Sequence, residues 1–130
     1  MAKVPFLSDA WLDLHRSLGA ALPERSGARA RVQHVVSGSP QGEVRYVHTV
    51  VDGRTAGLAF SADDEADVTF TNTYADAQAL ARGELDPSVL FMQGRTKMAG
   101  DMGKVLALMP VIRSGEHREL LETLSEQTDY

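Results

Sequence analysis

The spacing of the apolar residues changes twice along this chain, and that change limits the fold more than any other feature. Over residues 6–22, Leu7, Trp11, Leu14, Leu18 and Leu22 recur at steps of three and four, which puts one apolar stripe on a helix. Ser8 is placed to cap its start and Pro23 to end it. A polar linker follows, and from Arg31 the period becomes two. Residues 31–37, 43–51, 54–60 and 67–71 alternate and so read as strands. Ser39-Pro40-Gln41-Gly42 supplies the first turn. Asp52-Gly53 supplies a tight hairpin turn, whose two central residues need positive φ. In the third strand, Ala56, Leu58 and Phe60 are expected on one face.

Helical signals then return. Thr73 to Asp76 resembles a capping box with Asp in the acidic slot, opening an Ala-rich helix that Gly83 closes. Asp86-Pro87 starts a short helix through Met92, since proline suits the first helical position. Residues 95–99 are a fifth strand. Asp101 caps a helix carrying Met102, Leu106 and Met109 on one side, which Pro110 is expected to interrupt. Residues 114–127 form a last amphipathic helix with Leu120, Leu121 and Leu124 inward. This order specifies an α+β fold, with a sheet of about five strands, largely antiparallel or mixed, covered by helices. A length of 130 residues suits one core, so residues 1–130 are read as a single domain.

Composition excludes several functions. The net charge is −5, and no Lys/Arg-rich stripe exists to neutralise phosphates, so neither nucleic acid nor strong adhesion to anionic membranes is expected; with no long apolar run, no stable membrane insertion is expected either. The chain has no cysteine, which rules out disulfides and thiol catalysis. No apolar run is long enough to span a bilayer, and Gln127 to Tyr130 is not a peroxisomal address. The expected location is cytoplasmic.

Catalytic motifs are missing. There is no Gly-x-Ser-x-Gly elbow and no Gly-rich phosphate cradle. If the Ser39–Gly42 turn is tight, His34 and His48 lie nearly opposite each other on paired strands. Two imidazoles make an incomplete zinc site, so His15, His34, His48 and His117 are read as ordinary surface or half-buried histidines. Asp63-Asp64-Glu65 reads as a solvated turn, and Asp13, Asp76 and Asp101 as helix-face or capping residues. No metal or cofactor is expected.

Residues 86–112 carry more apolar residues than two short helices and a strand usually need, including four of the five methionines. Methionine is unbranched and polarisable and adapts to irregular space. Two readings stay open on composition: a soft core, or one wall of an apolar pocket.

The same region carries a resemblance. Phe91, Gln93, Gly94, Lys97, Gly100, Asp101 and Leu108 fit the pattern aromatic-x-Gln-Gly-x-x-Lys-x-x-Gly-Asp/Asn-x-x-x-x-x-x-Leu of the sterol carrier protein type 2 family. The alternating run from Asp67 to Thr71 and the helix before Arg82-Gly83 resemble the elements preceding that signature. Thr96 departs from it, standing where the family often has an apolar residue. The resemblance implies an apolar tunnel between sheet and helices for a sterol, fatty acid, acyl-CoA or similar ligand. It implies pocket residues Trp11, Phe70, Phe91, Met92, Met98, Met102, Leu106 and Met109, with Gln93 buried near the ligand head group. A non-catalytic lipid carrier is the function so implied, with a homodimer left open. The alternatives are an isomerase-like enzyme using Tyr46, Tyr74 or Asp67, and an interaction module offering an apolar groove.

Overall fold

A computed structural model describes residues 3–63 and 65–130, with only the backbone of Ser88. Helix α1 (Asp9–Ala20) is followed by strands β2 (Ala30–Ser39), β3 (Gly42–Val51), β4 (Arg54–Phe60) and β5 (Val68–Thr73). Helices α2 (Tyr74–Ala81) and α3 (Pro87–Met92) lead to β6 (Lys97–Gly100), then α4 (Met102–Ile112) and α5 (Gly115–Glu126). Two short strands absent from the sequence reading, β1 (Val4–Pro5) and β7 (Thr128–Asp129), pair in parallel and tie the two ends of the described chain together. Two residues of each carry no periodicity, which is why they escape a pattern argument.

The main sheet has the order β4-β3-β2-β5-β6. All pairings are antiparallel except β2 with β5, so the sheet is mixed, as expected. Side chains alternate across it. Ala30, Val32, His34 and Val36 of β2 share one face with Tyr46, His48 and Val50 of β3 and with Val68 and Phe70 of β5. The helices cover this face. Trp11 and Leu12 of α1 and Leu124 of α5 pack on Val36, Tyr46 and Leu58, while Leu108 of α4 packs on Ala30, Val32 and Val50.

The local signals account for the joints. Ser8, Thr73, Asp101 and Ser114 each accept a backbone N–H at a helix start, satisfying donors that have no partner within the helix. Asp52 and Gly53 have φ of 49° and 81°, as the hairpin turn requires. At Gly100 (φ 121°) a Cβ would fall 2.3 Å from the Asp67 carbonyl oxygen, so only glycine fits where β6 meets α4.

Three details differ from expectation. A bulge between β3 and β4 pairs Val50 with Thr55 and Thr49 with Gly57, which leaves Ala56 exposed and turns Thr55 inward beside Leu58. Pro110 does not interrupt α4, which runs through it to Ile112. Pro110 and Leu106 are both exposed, so the missing N–H falls on the solvent side of the helix, where it costs least. Of the acidic run, Asp63 is ion-paired with Arg31 at 2.8 Å rather than merely solvated, and Asp64 lies outside the described residues.

Candidate functional site

The residues expected to line one pocket occupy three different environments. Trp11 is 3% exposed and belongs to the core, edge-to-face with Phe6 at 5.1 Å and Tyr46 at 5.9 Å. Phe70 and Met98 are half-buried partners across β5 and β6, and Met109 is half-buried on α4. Phe91 (48%), Met92 (84%), Met102 (42%) and Leu106 (70%) stand exposed with Val89 on α3 and α4. Within α3 it is Leu90 that is fully buried and anchors the helix.

Gln93 is not buried. It is exposed, and its Oε1 accepts from Arg95 at 3.3 Å. The reason is local: Gly94, at φ 72°, turns the chain back just after α3, outside the sheet–helix interior. Arg95 itself donates to buried Asp76 of α2 at 2.5 Å, which ties the signature segment to the preceding helix. Thr96, the departure from the family pattern, donates to Asn72 of β5 at 2.5 Å. A polar residue at that position therefore has a polar partner.

The interior instead gathers the histidines. Four elements contribute one each: α1 (His15), β2 (His34), β3 (His48) and α5 (His117). His34 does not lie opposite His48: it pairs with Tyr46 and His48 with Val32, and the one-residue register shift between Val36 and Ser39 is what sets the two histidines on the same face. His34 stacks on Tyr46 at 4.7 Å, and the His34–His48 and His15–His48 centroids are 6.5 and 5.5 Å apart. His48 Nε2 is hydrogen-bonded to Thr55 Oγ1 at 2.8 Å, the threonine that the bulge turned inward.

Burial decides the protonation of these rings. It pushes His15 and His48 down to about 3 and His34 to about 4, with smaller contributions from mutual repulsion between the imidazoles. Burial also lowers His117, partly offset by a backbone hydrogen bond at Ile112. The Tyr46 phenol is pushed up by the same desolvation. The cluster is therefore neutral at pH 7. Two buried polar atoms, Trp11 Nε1 and His15 Nδ1, have no hydrogen-bond partner. They belong to rings whose centroids are 5.2 Å apart on successive turns of α1. Among the described residues, no group of three or more His, Cys, Asp or Glu has metal-holding geometry.

The inward placement of these rings has a signal in the sequence. His15 is four residues after Trp11, His34 sits between Val32 and Val36, His48 between Tyr46 and Val50, and His117 three before Leu120. Each shares the apolar phase of its own element, which predicts an inward side chain.

Open grooves flank α1. One of about 230 Å³ runs along β4 past Leu12, Leu58 and Phe60. Another, of about 310 Å³, lies between α1 and α5 and is lined by Leu18, Leu22 and Leu120 with Glu116 and Glu119. No helix among the described residues is long and apolar enough to cross a membrane.

A mixed five-stranded sheet with helices packed on one face defines a two-layer α+β protein. The chain belongs to the SCP-2 sterol transfer family, which matches residues 13–113. It is 38% identical over 74 residues to sterol carrier protein 2 of Rattus norvegicus, a match covering 56% of this chain and 13% of that protein. The match thus spans only a small fraction of that curated relative's length. A crystal structure of sterol carrier protein 2 superposes with a TM-score of 0.72 at 17% identity, covering 94% of this chain and 98% of the other. A conserved hypothetical protein of Thermus thermophilus, described as possibly a sterol carrier protein, superposes with a TM-score of 0.70 at 21% identity, covering 100% of this chain and 94% of that one. At these identities the superpositions speak for the fold.

Proposed function

We propose that residues 1–130 act as one non-catalytic, cytoplasmic lipid-carrier domain. The ligand is a sterol, fatty acid, acyl-CoA or similar apolar molecule. It lies between the inner face of the sheet and the α3–β6–α4 segment, contacting Phe70, Phe91, Met98, Met102, Leu106 and Met109, with Met92 at the entrance. Trp11 closes the opposite end of the interior. The carrier works as a monomer or a homodimer.

One observation carries this reading. In a member of the SCP-2 sterol transfer family, Val89, Phe91, Met92, Met102 and Leu106 are all large, apolar and exposed within one short stretch. Isolated exposed apolar residues are ordinary, but a concentrated set marks a surface that meets an apolar partner. Anchoring by Leu90, Leu108, Val111 and Ile112 leaves the outer sides of α3 and α4 free of the core, so these helices can close over a ligand.

Native mass spectrometry of freshly purified protein, with organic extraction, tests the proposal. The expected result is copurified lipid, and saturable binding when that lipid is added back to stripped protein. Absence of saturable binding by fatty acids, acyl-CoA and sterols alike overturns it.

A further inference from the structure

We infer that the histidine cluster beneath α1 is a head-group site selective for carboxylic acids, and that the ligand enters it as a carboxylate accompanied by one proton. The inference rests on the carrier reading and deepens it. It identifies which end of the interior is polar and which lipid class that end prefers.

His15, His34 and His48 form a chain of rings with centroid spacings of 5.5 and 6.5 Å, and all three keep some accessible surface although they point into the sheet–helix interior. Beside them Trp11 Nε1, a donor without an acceptor alternative, is buried and unpartnered, as is His15 Nδ1. A buried N–H left unpaired is costly, and an oxygen arriving beside these atoms would satisfy both.

The surroundings select the kind of oxygen. His15 comes from α1, His34 and Phe70 from β2 and β5, Tyr46 and His48 from β3, Thr55 from β4, His117 from α5, and Leu108 and Ile112 from α4. The charge effects on His15, His34 and His48 come from other histidines. Arg16, next to His15, is turned away to Asp13 and the Leu58 carbonyl. A buried carboxylate alone would be strongly disfavoured here. A carboxylate with one imidazolium is neutral overall, and its charge reverses the effect that holds the imidazole unprotonated. The proton comes from solvent, and no covalent bond forms or breaks. Mutual repulsion between the rings limits uptake to one proton. A hydroxyl head group needs one donor and one acceptor, and it gives the cluster no reason to bind a proton.

Isothermal titration of the full chain with dodecanoate and with dodecan-1-ol, in two pH 7 buffers of different ionisation enthalpy, tests this. The acid is expected to bind at least about ten-fold more tightly, with uptake of about one proton, and the alcohol to bind with none. His15→Gln and His34→Gln are expected to abolish the proton uptake and most of the preference for the acid. The uptake on the unsubstituted protein keeps the test decisive if either variant fails to fold. Equal binding of acid and alcohol without proton uptake overturns the head-group site and leaves the carrier reading standing. Binding of neither ligand overturns the head-group site, and the carrier reading falls with it only if acyl-CoA and sterols also fail to bind.

Discussion

Two apolar regions of this molecule are built from similar residue types and behave in opposite ways. Beneath α1 and α5, Trp11, Leu12, Val36, Tyr46, Leu58 and Leu124 form a closely packed cluster, with Trp11 3% exposed. Along α3 and α4, side chains of comparable hydrophobicity stand in solvent, with Leu106 70% exposed. The imidazole rings lie in the first region, and Met92 and Met102 in the second. Apolar character alone therefore does not mark the core. What separates the regions is whether an element has a partner surface to bury against: α1 is clamped by β4, β1 and α5, whereas α4 meets the sheet mainly through Leu108.

Mutation breaks this comparison most directly. Trp11→Ala is expected to lower stability by about 4 kcal/mol, because it empties a core site against three aromatic rings. Urea unfolding measures it. A loss comparable to that of a surface substitution would mean that the closely packed cluster is not the core.

Acid sharpens the contrast next. The folded-state values of His15, His34 and His48 lie below the unfolded value, so the unfolded chain binds protons that the native state refuses. Stability is therefore complete above about pH 7 and falls as pH drops through 6.5 toward 4, by up to about 2 kcal/mol per imidazole at pH 5. Thermal melts at pH 7.5 and pH 5 read the loss, and His34→Gln should remove about one third of it. A melting curve indifferent to pH over this range would place the imidazoles in water.

The smallest effect belongs to the exposed region. Met92→Ser and Leu106→Ser are each expected to change stability by less than about 0.5 kcal/mol while weakening lipid binding several-fold. A large stability loss with unchanged binding would return these residues to a structural role and blur the distinction between the regions.

Most of the architecture was legible in the residues. Stripe and alternation located the five large strands and the five helices. Asp52-Gly53 supplied the hairpin, and Ser8, Thr73 and Asp101 supplied helix starts. These succeed because capping and turn geometry are settled within a few residues, and because periodicity follows from the pitch of each element. The signature from Phe91 to Leu108 was enough to indicate the family.

What the local pattern could not decide was which elements meet. Phase places each histidine inward on its own helix or strand, but only the β2–β3 register shift, the parallel β2–β5 pair and the docking of α1 and α5 on one face bring four of them together. The same applies to Gln93 and the methionines, whose exposure depends on how far α3 and α4 descend onto the sheet. Proximity between residues distant in sequence is a property of packing, and packing is settled by the whole set of faces at once.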